Sequence, residues 1–165
     1  GIQVLEAAKL AATGVTREAV VAAVLDLRAR IVLRFFLETL EQVKRGGRLD
    51  TLMPLLARLG QALNIRAVLT VNDEGRISLV GPARGRRGAI KRLAQDAIAT
   101  APVEQVVLAH AHSAEEAEAI ADELAQALPF PRDQIMMIEI GSVLIAHAGQ
   151  GVLGVGTVRR VRSAE

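Results

Sequence analysis

Residues 105–140, QVVLAHAHSAEEAEAIADELAQALPFPRDQIMMIEI, decide the fold. QVVLAH is a compact apolar run suited to a strand. Ser113 and Glu116 stand at capping-box spacing, where each side chain would satisfy a backbone N–H at the start of a helix. Behind them Ile120, Leu124 and Leu128 recur at the helical period. QIMMIEI then returns as a second strand. A strand, a helix and a strand in one short crossover predict a parallel pair, connected right-handed, because strand twist lets the helix pack back onto the sheet only that way. The fold class is α/β.

The neighbouring segments extend the pattern into a mixed sheet flanked by helices. Upstream, RAVLTV and RISLV are strand-like runs separated by Asn72, Asp73, Glu74 and Gly75, the composition of a hairpin turn. Ala89, Ile90, Leu93, Ala94, Ala97 and Ile98 then mark an amphipathic helix that Ala101 and Pro102 end. Ile31 to Leu37 reads as a buried strand, and Thr16 as the cap of a helix over 17–28 with Val20, Val24 and Leu27 on one face. The helix that follows the Ile31–Leu37 strand breaks at KRGGR, residues 44–48. Leu52, Leu55, Leu56, Leu59 and Leu63 line the next one, with Pro54 tolerable in its first turn. Downstream, SVLIAH and VLGVGTVRRV read as strands on either side of a glycine turn, and residues 163–165 as a frayed end. There is no internal repeat.

The chain has 165 residues, of which 51 % are hydrophobic and 23 % charged, a composition for one folded domain over 1–165. With three Phe and no Trp or Tyr, the core must be built from Ala, Val, Leu and Ile. The absence of Cys excludes disulfides, thiolate metal sites and cysteine nucleophiles, and suits a cytoplasmic protein. No apolar run approaches the ~20 residues of a membrane span. A net charge of +2 is too small to imply a polyanionic partner. Gly1 stands where a starting Met would, and IQVLEAAKLAA follows at once in helical pattern, so the reading expects an upstream segment to be missing and the helical segment 1–28 to belong to a junction.

Chemistry concentrates in IAHAGQGVLGVG, residues 145–156, where His147 stands among glycines. A neutral imidazole at the mouth of a glycine turn can bond an anion or a polar head group while bare backbone N–H groups approach the same atom. Three motifs, taken in order, carry a family resemblance: LETLEQVKRGGRL (37–49), LNIRAVLTVNDEGRI (63–77) with Arg84 and the basic helix after it, and EIGSVLIAHAGQGVLGV (139–155). With Gly46, Gly47 and Arg48, and with Ile140, Gly141, His147, Gly149 and Gly151, the chain resembles the C-terminal half of the DegV family, which includes the fatty-acid-binding subunits of bacterial fatty acid kinase. It departs from the family's pattern at Ala67, Ser142 and Gln150, where Pro is usual, and at Ala146 and Ala148, where Thr is usual.

The resemblance implies a two-lobed protein that encloses a long-chain fatty acid between its lobes and presents it to a kinase subunit. On that reading the chain has no catalytic residues, cofactor or metal of its own, and its partner lobe, the N-terminal one, supplies the hydroxyl ligands of the carboxylate. His147, Gly149 and Gly151 carry over as ligand-binding candidates, joined by Arg48 and Thr39. Gly46 and Gly47 read equally as a helix C-cap, Arg48 as a tie to nearby carbonyls, and Thr39 with Leu40 as packing. Burying sixteen carbons at about 0.8 kcal/mol per methylene supplies on the order of 12 kcal/mol before ordering costs, so an apolar tunnel must dominate affinity.

Competing readings are weaker. GQGVLG matches G-x-G-x-x-G, but a dinucleotide fingerprint needs a helix after it, and strand-like VGTVRRV follows. His110 and His112 could share a metal only with a third ligand that sequence spacing does not supply. Arg84, Arg86, Arg87, Lys91 and Arg92, with Arg159, Arg160 and Arg162, form a solvated basic face. It lacks the interleaved aromatics of nucleic-acid binding and better suits an acidic kinase or transient contact with an anionic membrane. None of the four Ser residues sits in a nucleophile elbow. The alternative function is a lobe of a small-anion or phosphate-handling enzyme, with His147 as acid or base over the glycine turn.

Overall fold

The structure, a computed structural model, describes residues 1–38 and 64–161. The helix breaking at KRGGR, the leucine stripe, the candidates Thr39 and Arg48, and the frayed end all lie outside these residues. The chain divides into two compact units, Gly1–Ile31 and Val32–Glu165.

The first unit is a helical pair, α1 (Ile2–Ala12) and α2 (Arg17–Arg30), packed on each other. The Thr16 hydroxyl accepts from the Ala19 N–H at 3.3 Å, so the predicted cap forms. Glu18 in the first turn of α2 and Arg28 and Arg30 in its last complement the helix dipole. Val20 and Val24 are half-buried and Leu27 is buried, while Val21 and Leu25 on the other faces are exposed, as the periodicity predicts.

The second unit is built on a six-stranded mixed sheet of order β3-β2-β1-β6-β4-β5. Its strands are β1 (Ile31–Phe36), β2 (Ile65–Val71), β3 (Ile77–Arg84), β4 (Val103–His110), β5 (Met136–Glu139) and β6 (Leu153–Arg159). β2 and β3 form the predicted antiparallel hairpin. Its turn closes with the Arg76 N–H donating to the Asn72 side chain at 2.8 Å and the Gly75 N–H to the Asn72 carbonyl at 2.9 Å. Pro82 is tolerated inside β3 because β3 is an edge strand and one of its sides needs no ladder donors. β4 and β5 are parallel, the crossover expected of residues 105–140, and β6 inserts antiparallel against β4. β1 is less covered than a buried strand: its first residues are half-buried, and only Phe36, with Leu37 just after it, is fully enclosed.

Helices α3 (Gly85–Ile98) and α4 (Ala114–Ala127) supply the main core against this sheet. Ala89, Leu93, Ala94 and Ala97 of α3 meet Ala117, Ile120, Ala121 and Leu124 of α4 over Val106 and Leu108 of β4. Each large aliphatic buried there contributes about 1.5–3 kcal/mol, which outweighs the weak propensity of isolated helices of this length. A second, smaller cluster joins Leu37, Ala67, Leu69, Ala111 and Val152, with Ile140, Ile145 and Ala148 packed on it.

Two local expectations fail. SVLIAH is not a strand: Ser142–Ala148 is a short helix, α5, entered at Gly141 and closed by the Gly149 N–H donating to the Ile145 carbonyl at 2.8 Å. Ile145 and Ala148 lie three apart and pack, half-buried, on the second cluster, so one helical face is partly covered despite the β-branched composition. The capping box at Ser113 and Glu116 does not form either. Ser113 is the N-cap of α4, yet its side chain makes no cap bond, because both residues are committed to Arg86.

Candidate functional site

His147 projects from α5 and is exposed, as are Val143 and Leu144 on the same short helix, at 78 % and 53 % of their surface. An imidazole beside two large apolar side chains is a surface with one polar and one greasy component. Gly149 is buried and Gly151 half-buried at the end of α5, so the predicted elements of the 145–156 segment are adjacent. The Gly151 N–H donates to the Ala111 carbonyl at 3.0 Å, and the Ala111 N–H to the Val152 carbonyl at 2.9 Å, tying the turn to the end of β4. Gly151 has φ +75, and a Cβ there would lie 3.2 Å from Arg86 Nη1 and 3.4 Å from Glu38 Cβ. A side chain there would be strained by the backbone conformation and would press on Arg86.

What lies against that turn was not anticipated. Arg86, read as one member of a solvated basic face, is folded inward, and each of its five N–H donors has an acceptor. Nε donates to Glu116 Oε1 at 2.7 Å; Nη2 donates to Ser113 Oγ at 2.8 Å and to Glu116 Oε2. Nη1 donates to Glu38 Oε2 at 2.6 Å and to the Gly151 carbonyl at 2.8 Å. The guanidinium also lies 5.2 Å from the centroid of the buried Phe36 ring, within cation–π range. Arg66 Nη2 donates to the other oxygen of Glu38 at 2.5 Å, so two guanidinium groups face two carboxylates. Hydrogen bonding to Glu116 leads the causes that raise the Arg86 pKa, so the group is charged at every accessible pH.

The positioning of Arg86 begins at the entry to α3. The Gly85 N–H donates to the Asn64 carbonyl at 2.6 Å, and Gly85 sits at φ +65 with the Asn64 side chain where a Cβ would be. The helix therefore starts on a fixed corner. Arg86 precedes Ala89, Ile90 and Leu93 by three, four and seven residues, which places it on the buried stripe of α3. That spacing was the available signal for singling it out. Arg84, Arg87 and Lys91 are exposed, and Arg92 pairs with Asp96 at 2.6 Å.

Burial by itself would push the Glu38 carboxyl up, but hydrogen bonds from Arg86 and Arg66 outweigh it and hold the group below its ordinary range. A lowered folded value means that Glu38 binds its proton more weakly folded than unfolded. Its contribution is thus complete above roughly pH 4.5 and is lost as pH falls through the lowered value. The melting temperature should therefore fall as pH drops from about 5 to 3, and Glu38→Gln should flatten that decline while lowering the melting temperature at pH 7. Parallel acid profiles for the two proteins would contradict this role.

At the carboxyl end of β4, His112 Nδ1 lies 3.6 Å from Glu139 Oε1, a carboxylate that arrives across the parallel β4–β5 pairing and that spacing along the chain could not reveal. His110, in register with Glu139, is buried with Nδ1 unpartnered. Among the described residues no group of three or more His, Cys, Asp or Glu side chains could hold a metal ion. A strand, β6, begins at Leu153 within the GQGVLG segment, in place of the helix a dinucleotide site requires. No helix among the described residues is long and apolar enough to cross a membrane.

The family model described as "uncharacterised protein, DegV family" matches residues 1–160, and the chain belongs to that family. A DegV domain-containing protein of Streptomyces coelicolor is 34 % identical over 158 residues, which are 94 % of this chain and 54 % of that protein. Among solved structures, the fatty acid binding DegV family protein of Streptococcus agalactiae superposes with a TM-score of 0.84 at 26 % identity, over 98 % of this chain and 56 % of the other. A DegV family protein of Thermus thermophilus, also described by its fatty acid binding, gives 0.83 at 29 % identity, over 97 % and 56 %. The mixed sheet and helices described above are the fold of these proteins. The chain spans about half the length of the curated relatives it matches.

Proposed function

We propose that this chain forms one lobe of a cytoplasmic protein that binds a long-chain fatty acid and hands it to a kinase, without catalytic machinery of its own. The observation that carries the reading is α5, where exposed Val143 and Leu144 flank exposed His147 beside the Gly149–Gly151 turn. Exposed large aliphatics beside an imidazole suit a ligand with an apolar chain and an anionic head better than they suit water or a phosphate. The DegV relatives described by fatty acid binding share this fold at 26 % and 29 % identity, which points the same way. In this reading His147 and the turn meet the carboxylate, Arg48 and Thr39 are the further ligand-binding candidates, and the complementary lobe closes the site. The exposed Arg87 and Lys91 of α3, with Arg84 at the end of β3, serve the kinase partner.

Organic extraction of the purified natural protein followed by mass spectrometry tests the reading, with an acyl chain expected. His147→Ala should weaken binding of a fatty acid about tenfold or more, the equivalent of one charge-assisted hydrogen bond, while fatty acid still co-purifies because chain burial dominates. A protein that carries no lipid and binds no added fluorescent fatty acid would overturn the proposal. An undiminished affinity in His147→Ala would remove His147 from the site.

A further inference from the structure

We infer that Arg86 is a positioning residue for the head-group end of the site, acting on His147 through the Gly151 carbonyl; this rests on the fatty acid reading above. Arg86 does not contact ligand itself, because its five N–H donors are already taken by Glu116, Ser113, Glu38 and the Gly151 carbonyl. The side chain is held from two sides. Glu116 and Ser113 fix it at the start of α4, and Glu38 fixes it at the end of β1. What remains is a single N–H aimed at the backbone of the turn that ends α5.

That turn sets the position of His147. α5 has seven residues, too few to hold its own geometry in water, and its outward face carries exposed Val143, Leu144 and His147. Its orientation comes from the packing of Ile145 and Ala148 and from the turn in which it ends. In the turn, the Gly149 N–H closes the helix, the Gly151 N–H is tied to Ala111, and the Gly151 carbonyl is tied to Arg86. The absence of a Gly151 side chain is what admits the guanidinium, since a Cβ would stand 3.2 Å from Nη1. A shift of the guanidinium is therefore transmitted to a backbone segment only four residues from the imidazole. An arginine that served only the fold would need its carboxylate partners and not this carbonyl.

The test compares Arg86→Lys and Arg86→Gln with the parent natural protein. Affinities are measured for palmitate and for hexadecanol, which share the chain and differ in the head group, and the position of the His147 ring is followed by its NMR chemical shifts at fixed pH. Arg86→Gln should reduce the preference for palmitate over hexadecanol about tenfold, leave hexadecanol within about twofold, and move the His147 ring resonances. Arg86→Lys, which keeps a charged donor, should recover part of that preference. Should Arg86→Gln fail to fold, Glu116→Gln loosens the guanidinium without removing it and should lower the preference in the same direction. Equal losses for both ligands, or an unchanged preference, would reduce Arg86 to a structural ion pair and overturn the inference. A parent that binds neither ligand would overturn the fatty acid reading itself. The His147 ring resonances in Arg86→Gln would then decide the positioning claim, and unmoved resonances would overturn that too.

Discussion

Replacing Arg86 by methionine is expected to destabilise the protein by about 3 kcal/mol and to lower its melting temperature by roughly 6–12 °C. Methionine keeps the unbranched apolar stem of the side chain but removes the guanidinium from over Phe36 and the charge from between Glu38 and Glu116. Glu38 retains Arg66, whereas Glu116 loses the partner of both its oxygens. The loss stays at the lower end of what a broken buried pair costs because Glu38 and Glu116 remain 33 % and 35 % exposed and are partly rehydrated. Adding Glu116→Gln to the methionine variant should restore part of the stability, since it removes the carboxylate left without a counterion. Thermal unfolding followed by circular dichroism measures both effects. A methionine variant within a degree of the parent would mean that the ion cluster contributes nothing net.

Phe36→Ala should cost more, about 3–5 kcal/mol, enough to leave a marginal domain largely unfolded at 37 °C. Phe36 is fully buried at the end of β1, in the core that Leu93, Ile120 and Leu124 build from α3 and α4, and its ring lies under the Arg86 guanidinium. Alanine would leave a cavity that this set of helices has no free side chain to fill. Phe36→Leu separates the two contributions: it conserves most of the volume, and beyond the shape change it should lose about 0.5–1 kcal/mol of ring-to-cation attraction. In a double-mutant cycle with Arg86→Met that last part should vanish. Additive losses in the cycle would mean that the ring acts through packing alone.

The elements best legible along the chain were those whose partners are regular. α3 and α4 carry apolar residues at the helical period, the β2–β3 hairpin is marked by its turn residues, and Thr16 announces α2; each appears where its pattern places it. In these segments local preference and tertiary packing ask for the same conformation, so either suffices to read the other. α5 was illegible for the opposite reason. Val143, Leu144 and Ile145 favour a strand locally, and seven residues are too few for a helical period to declare itself; burying Ile145 and Ala148 on the second cluster decides the matter. Ser113 and Glu116 satisfied the spacing of a cap, but a charged donor outcompetes a backbone N–H for the same oxygens.

By itself the sequence determined the α/β class, the parallel crossover over residues 105–140 and the family, because each of these is written in residues close together or in a repeated order. Only the tertiary structure decided which arginine of the basic cluster is withdrawn from solvent, and that it meets Glu38, Ser113 with Glu116, and the Gly151 carbonyl from three separate stretches of chain. Likewise only the β4–β5 register brings Glu139 beside His112. Those meetings depend on which side chains the sheet order and the start of α3 set face to face across 27 to 65 residues of intervening sequence, and no local preference encodes such a distance.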